Sequence, residues 1–481
     1  MISSHKLIKE LFKQWSGENA SEIKQLPESG SNRVYYRVSS PDKHAIATYN
    51  PDRAENEAFV YINKKLKKAG VNVPTIYVKD LDNNIYLQQD LGSTDLFQKV
   101  SDGHQNGTTD YIDRYKQVIR SMPDIQYNVS RDFDFSICYP RLAFDKQSML
   151  WDLNYFKYHF LKLAYTPFHE QKLEDDFRAF VNFLTTSPSY FFLYRDFQSR
   201  NIMIYQDKVY FIDYQGGRKG ALQYDLASLL FESKTSLSIE QRNDLLNYYI
   251  EVFGEYPFFD KKVFLKYYPG FILIRMLQAF GAYGYRGYFE RKPYFLQSIP
   301  PAIENLEWLL ANYDLGVKLP HLISTLKCMV SQPVFHVPHS EENKLTITIH
   351  SFSFRKGIPE DYSGNGGGFV FDCRSLPNPG RYEEYKAFTG LDQKVIEYLE
   401  DKPEINKFIQ NTSRLIGSVI ENYRERKFTQ LAVNFGCTGG QHRSVYSSEK
   451  ISAFIRTKYP DVIVVLHHRE LEKEKYDQIN V

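Results

Sequence analysis

The chain has 481 residues, 42% hydrophobic and 25% charged, a length that calls for two or three cores at the usual ~100–200 residues per domain. Sixty Lys and Arg against 58 Asp and Glu leave a formal net charge of +2, which excludes a global field steering the protein to nucleic acid, so any RNA or DNA contact must be local. Four cysteines, Cys138, Cys328, Cys373 and Cys437, are widely spaced without a metal-ligand pattern, which suits reduced thiols in a cytoplasm and argues against a disulfide framework.

The N-terminus, MISSHKLIKELFKQWSG, mixes charges with apolar positions at helical spacing and lacks the apolar core of a signal peptide. No run reaches the ~18 apolar residues of a membrane span, and FILIRMLQAFGAY is broken by Arg275. A cytoplasmic protein with no membrane partner is the expectation. Strand-like RVYYRV (33–38) and HAIATY (44–49), a helical run AENEAFVYINKKLKKAG closed by Gly70, and NIYLQQDLG make a small mixed lobe. Residues 111–313 are mainly helical in pattern, interrupted by short strand-like segments at YFFLYRD and KVYFIDY. Periodicity fades over 315–344, where SQPVFHVPHSEEN predicts a linker. Beyond it, LTITIHSFSF, GGGFVFDCRSLPNP, a helical stretch around QKVIEYLEDKPEINKFI, QLAVNFG, a helix and VIVVLHH alternate as a compact α/β domain over 345–481. The GNGGG at 364–368 is a loop.

YFFLYRDFQSRNIMIYQDKVYFIDYQGG carries Asp196, Asn201 and Asp213 at spacings of five and twelve. Phosphoryl transfer needs a carboxylate to orient the acceptor hydroxyl and oxygen ligands to hold Mg²⁺ against nucleotide phosphates. D-x-x-x-x-N alone is more often what two turn residues between strands give. The apolar strand before each aspartate, the twelve-residue gap and YDLASLL after it favour the chemical reading. In LPESGSNRVYYRV, Gly30 lets backbone N–H groups approach phosphates, with Asn32 and Arg33 as further donors; a polar hairpin turn is the alternative.

Over residues 5–312 the sequence resembles the aminoglycoside phosphotransferase and choline kinase group, relatives of protein kinases, and within it the anomeric kinases of N-acetylmuramate and N-acetylglucosamine. YRDFQSRN, IDYQ, YDLASLL, LPESGSNRVYYRV, QQDLG, YPRLAFDKQSMLWDLNYF and QAFGAYGYRGYFERKPYFLQSIP carry the resemblance. It implies an α+β protein-kinase-like bilobal domain over 1–314, with a small mixed β lobe and a mainly helical large lobe. It also implies ATP and Mg²⁺ as cofactors, Asp196 as catalytic base, Asn201 and Asp213 as metal ligands, Asp225 steadying the catalytic segment, and Gly30, Ser31, Asn32 and Arg33 covering the nucleotide. The implied acceptor is an N-acetylated amino sugar, near the segment of Asp145, Asp152 and Asn154. Tyr194 and Gln198 stand where the family has histidines, Gly217 replaces an acidic residue, and AIATY lacks a phosphate-pairing lysine, which leaves Glu57 another role.

NFGCTGGQHRSVYSSEKI turns from a strand to a helix N-terminus, where orphan N–H groups, two glycines and Arg443 make an anion site. Read as C-x-x-x-x-x-R-S, it also matches cysteine phosphatases, with Cys437 as nucleophile; a glycine turn beside a buried cysteine is the third reading. SFSFRKGIP, GGFVFDCRSLPNP, FTGLDQKVIEYLE, FGCTGGQHRSVY and HHRELEK resemble, in order, the RapZ C-terminal domain over 345–475. That resemblance implies binding of a hexosamine phosphate and small regulatory RNA, with Arg355, Arg374, Thr438, Gly439, Gly440, His442, Arg443, Ser444 and His468 lining the anion pocket and Cys437 in a gripping loop. There is no G-x-x-x-x-G-K-[ST], and the tail RELEKEKYDQINV lacks a basic extension for RNA. The expected protein is an ATP-dependent amino-sugar kinase joined to a module for a sugar phosphate or RNA. Its rivals are a non-catalytic regulatory adapter on a degenerate kinase scaffold and a cysteine phosphatase.

Overall fold

The computed structural model describes residues 4–27, 33–332, 335–336, 344–360 and 368–471. In the small lobe, β1 (Glu22–Gln25), β2 (Val34–Ser39), β3 (His44–Tyr49), β4 (Ile76–Asp80) and β5 (Ile85–Gln89) form an antiparallel sheet in the order β1-β2-β3-β5-β4. The period of two puts Tyr36 and Val38 of β2 with Ala45 and Ala47 of β3 on one face. There they pack with Ile8, Leu11 and Phe12, the apolar stripe of helix Ser4–Ser16. Helix Arg53–Lys68, capped by the Asp52 side chain on Glu55 N–H, turns Phe59 onto Tyr86 (centroids 4.9 Å apart) and Tyr214 (4.8 Å). That stack fixes the helix against the residue that follows Asp213.

Helices Tyr111–Pro123, Glu170–Leu184, Ile239–Gly254 and Lys261–Tyr283 build the helical lobe. Within it two antiparallel ladders, β6 (Phe191–Leu193) with β9 (Arg218–Gly220) and β7 (Ile202–Tyr205) with β8 (Lys208–Phe211), carry the aspartate-bearing turns at their ends. Residues 315–344 differ from the expected linker: Pro320–Val330 is a helix with Leu322, Leu326 and Met329 buried. Pro320 sits at its first position, where a missing N–H costs nothing, and so it starts a helix instead of breaking one.

The chain divides into two compact units, and the division departs from the expected boundary at 314/345. Phe156–His169, Phe280–Glu307 and the chain from Ile323 onward group together; the remainder forms the other unit. Within the former, Tyr165 Oη donates to the Lys356 carbonyl (3.2 Å), Gln332 Nε2 to Thr166 Oγ1 (2.9 Å), and Arg291 pairs with Glu360. Its α/β part is a parallel sheet of β10 (Thr346–Ser353), β11 (Gly368–Asp372), β12 (Gln430–Cys437) and β13 (Ile463–His468), ordered β11-β12-β10-β13. Ile347, Ile349, Val433 and Phe435 from the central strands meet Ile416 and Ile420 of helix Pro403–Glu425 and Ile451 and Ile455 of helix Arg443–Lys458 in one core. Helix Gln393–Glu400 is separate from Pro403–Glu425; the single helical stretch expected there is divided by Pro403, which restricts Lys402 to extended backbone.

Candidate functional site

The segment leaving β6 is held by one buried carboxylate. Asp225, in the first turn of helix Gln223–Leu230, accepts from the N–H groups of Tyr194 (2.9 Å) and Arg195 (3.0 Å) and from Gln126 Nε2 (3.1 Å). Burial pushes its pKa up to about 6 against the pull of these donors. Tyr194 Oη donates to the Ile212 carbonyl at 2.6 Å, so the tyrosine in the histidine position ties this segment to the next strand. Arg195 and Asp213 both have left-handed backbone (φ 83° and 68°), a conformation costly for a residue with a β-carbon and held here by these surrounding bonds.

Asn201 joins the two aspartates. Its Nδ2 donates to the Asp196 carbonyl (2.8 Å) and lies 3.4 Å from Asp213 Oδ2, while Gln215 Nε2 donates to Asp213 Oδ1 (2.8 Å). Burial, reinforced by the nearby negative charge of Asp196, raises the Asp213 pKa. A buried acid beside another negative charge is costly to ionise, and a cation next to it relieves that cost. The donors are hard oxygens. Among the described residues no three His, Cys, Asp or Glu side chains cluster as a metal site; the carboxylate and amide oxygens of Asp213 and Asn201 are hard donors of the type Mg²⁺ takes when substrate phosphates and water complete its shell.

The departures from the family pattern have local causes. A β-carbon on Gly217 would stand 2.3 Å from Phe192 Cζ, so the ring occupies the volume an acidic side chain would need. Gln198 supplies backbone to the turn, its N–H on the Asp196 carbonyl (3.0 Å). Gly30, Ser31 and Asn32 lie outside the described residues. Arg33 is buried, its guanidinium 5.4 Å from the Phe59 ring centroid and 3.6 Å from Glu55 Oε1, with Glu55 Oε2 taking Asn50 Nδ2 (2.6 Å). The small lobe's buried cation therefore enters from the start of β2, and β3 carries no lysine. Glu57 pairs with Arg53 in solvent (2.8 Å). The role of Glu55 escaped the sequence reading, although D-x-x-E at 52–55 has the spacing of a helix start. Beyond Asp196, Asp152 accepts from Arg195 Nη2 (2.7 Å), and Asp145 caps helix Lys146–Phe156 through the Ser148 N–H (2.9 Å).

In the α/β domain, β12 ends at Cys437 and residues 438–442 turn into helix Arg443–Lys458. The thiol is 3% exposed; Gly440 N–H donates to its sulfur (3.2 Å) and Ser444 Oγ lies 3.1 Å away. Gly440 has φ +75°, and a β-carbon there would meet Glu470 Cγ at 2.4 Å. Glu470 accepts from Ser353 N–H (3.3 Å), Arg469 Nε (3.0 Å) and Lys356 Nζ; burial alone would raise its pKa, and Lys356 and Arg469 hold it below the usual glutamate range. Arg443 is 4% exposed; its Nη1 donates to the Arg374 and Leu376 carbonyls (2.8 and 2.9 Å), its Nε has no partner, and no carboxylate among the described residues pairs with it.

The other expected anion-site residues divide. Thr438, Gly439, Gly440 and Ser444 share the turn, and the Thr438 carbonyl accepts from Ser353 Oγ (2.7 Å). Arg355 is exposed, with its N–H on Ser353 Oγ (3.3 Å). Arg374 forks onto Asp372 and lies over Phe354, its guanidinium carbon 4.1 Å from the ring centroid. His442 Nε2 is 3.1 Å from the Tyr385 carbonyl, and His468 lies between Ser351 Oγ (2.9 Å) and Glu449 Oε1 (3.0 Å). Ser353, Lys356 and Glu470 were not foreseen as part of this site; their signal lay in SFSFRK and HHRELEK, which carried the resemblance without naming them.

Residues 22–260 match the phosphotransferase enzyme family and residues 345–472 match the RapZ C-terminal domain. The chain joins a phosphotransferase-family domain to a RapZ C-terminal domain. Among curated relatives, proteins named nucleotide-binding protein from Haemophilus ducreyi and Idiomarina loihiensis are 37% and 34% identical over 134 and 174 residues, covering 28% and 36% of this chain and 44% and 56% of theirs. The chain thus spans about half the length of the curated relatives it matches. Among solved structures, choline kinase LicA from Streptococcus pneumoniae (15% identity, TM-score 0.43) aligns over 63% of this chain and 99% of its own. A choline kinase from Cryptosporidium parvum Iowa II (13%, TM-score 0.46) covers 67% and 100%. No helix among the described residues of either domain is long and apolar enough to cross a membrane.

Proposed function

We propose that the phosphotransferase domain moves the terminal phosphoryl group of ATP to a sugar hydroxyl, the anomeric one of N-acetylmuramate or N-acetylglucosamine, in the cytoplasm. The observation that carries this is the Asn201 amide, hydrogen-bonded to the Asp196 carbonyl and facing Asp213. Asp196 orients the attacking hydroxyl and takes its proton as the bond to phosphorus forms. The Asn201 amide spends its N–H on protein and keeps its carbonyl oxygen for Mg²⁺, beside Asp213. Mg²⁺, when bound, screens the nucleotide phosphates and stabilises the charge that develops in transfer. Arg33, held by Glu55, supplies positive charge on the nucleotide side. Asp225 fixes the backbone that aims Asp196.

The RapZ C-terminal domain, on this reading, binds the phosphate of an amino sugar or an RNA phosphate. Support comes from Arg443, buried without a counter-ion among the described residues at the start of a helix whose preceding turn is rich in glycine; an anion there compensates its charge. The Cys437 thiol is shielded and engaged by Gly440 and Ser444, which favours a gripping loop over a nucleophile. A Cys437→Ser protein is expected to keep its affinity for sugar phosphate, and wild-type protein to cleave no phosphomonoester.

ATP turnover measured against a panel of amino sugars tests the first half. Turnover with at least one sugar, reduced by about 10²–10⁴ in Asp196→Asn at unchanged fold, is expected from the loss of a general base. Nucleotide turnover with no sugar, together with small-RNA binding by the full chain in a gel shift across salt concentrations, would favour the adapter instead.

A further inference from the structure

The turn at 438–442 leaves β12 between two neighbours, β11 on one side and β10, with β13 beyond it, on the other. The strands run parallel, so the turns that follow them gather at one edge of the sheet, where open α/β sheets take their ligands. Arg443 is tied to the β11 side through the Arg374 and Leu376 carbonyls. The opposite side has cations of its own: Lys356 follows β10 and Arg469 follows β13.

Glu470 occupies that opposite side. Its buried carboxylate accepts from the Ser353 N–H (3.3 Å), from Arg469 Nε (3.0 Å) and from Lys356 Nζ. Burial opposes its ionisation, and Lys356 and Arg469 outweigh that. Ser353 stands beside Cys437 in the strand register and its Oγ donates to the Thr438 carbonyl (2.7 Å), so the carboxylate binds the residue that supports the turn. It also leans on the turn directly, since a β-carbon on Gly440 would meet Glu470 Cγ at 2.4 Å. A backbone N–H and two cations converging at this edge are the donors a phosphate takes. Here they hold a carboxylate of the chain itself. Lys356 is half-exposed, so the pair is open to exchange with solutes.

We infer that Glu470 is a resident counter-anion, which a phosphate must displace from Lys356 and the Ser353 N–H before the turn at 438–442 binds it. This rests on the anion-binding reading of the α/β domain and adds how that site is regulated. Displacement sets a charge threshold. A phosphomonoester carries roughly −1.5 to −2 charges at neutral pH and three strong acceptor oxygens, more than a carboxylate offers, so it outcompetes Glu470. A phosphodiester of a nucleic-acid backbone carries a single charge and only matches the carboxylate. The tethered group lowers the affinity for every anion, because the site is open only in the fraction of molecules that Glu470 has left.

The test is calorimetric binding of methyl phosphate and dimethyl phosphate to full-length wild type, Glu470→Gln and Lys356→Met, at constant ionic strength and mildly alkaline pH. Glu470→Gln is expected to bind methyl phosphate about tenfold tighter than wild type or more, the scale of one charge-assisted hydrogen bond, and to gain binding of dimethyl phosphate, which wild type rejects. Lys356→Met is expected to bind methyl phosphate about tenfold more weakly, since the ammonium passes from Glu470 to the ligand. Equal or weaker binding by Glu470→Gln overturns the inference and makes Glu470 a support for Lys356, with the anion site itself left standing. Unchanged affinity in Lys356→Met overturns it as well, and that variant remains readable if Glu470→Gln does not fold. Wild type taking both esters alike removes the threshold and with it the displacement. Methyl phosphate bound by Glu470→Gln alone would support the inference in its strongest form; binding by neither protein would remove it together with the anion-binding reading.

Discussion

At the scale of single residues, Gly217 and Glu470 make opposite demands. Gly217→Asp drives a side chain into Phe192 and is expected to lower stability by about 1–3 kcal/mol, read from the urea midpoint. Glu470 is a buried carboxylate kept ionised by Lys356 and Arg469, with a pKa below its unfolded value of 4.5. Its contribution is present above pH 4.5 and lost as the pH falls through the lower folded value. Unfolding midpoints measured from neutral pH downward are expected to fall less steeply for Glu470→Gln than for wild type in that acidic window; parallel curves would show that the ion pairs contribute nothing. Asp196, Asn201 and Asp213 could be named as candidates from the sequence because their spacing is local. Glu55 and Glu470 could not: each matters through a partner brought from elsewhere, and only the fold decides that.

Among elements, most of the strongly periodic segments were read, although helix Pro320–Val330 falls where a linker was expected and two helices stand where one stretch was expected, and several short strands were missed. Helix Arg53–Lys68 and strands β2, β3, β10 and β12 announce themselves by apolar period. β1 is EIKQ at a sheet edge, β4 is IYVKD at the opposite edge, and β9 is the three residues RKG; none carries enough alternation to be distinguished from a loop. The turn that carries Asp196 depends on a contact between distant elements, since helix Gln223–Leu230 holds it through Asp225. Asp225→Asn replaces an acceptor-only group facing three donors with one that offers N–H in return. It is expected to cost about 1–3 kcal/mol in stability and to lower kcat more than it raises KM. Chemical denaturation and steady-state kinetics on the same preparation would reveal both effects.

For the molecule as a whole, the sequence separated the two domains by family resemblance and drew a linker between them, but it did not show that Phe156–His169 and Phe280–Glu307 belong with the C-terminal part. Those segments are helical and aromatic like their neighbours in sequence, so no change of composition marks the division. Their contacts, Tyr165 with Lys356, Arg291 with Glu360 and Phe160 with Phe335, are long in sequence. A chain ended after residue 332 loses all three and is expected to melt at a lower temperature than the full-length protein, measured by calorimetry at equal concentration; an unchanged melting temperature would show that the segments need no such partner.

The most direct test follows labelled phosphate from γ-³²P-ATP into the acceptor sugar, in wild type and in Asp213→Asn, across Mg²⁺ concentrations. Asp213, Asn201 and Asp196 acting together require labelled sugar phosphate from wild type, a dependence on Mg²⁺, and product near background in the variant at unchanged fold. Equal labelling by the two proteins, or none by wild type at saturating nucleotide, Mg²⁺ and sugar, would contradict phosphoryl transfer at this site.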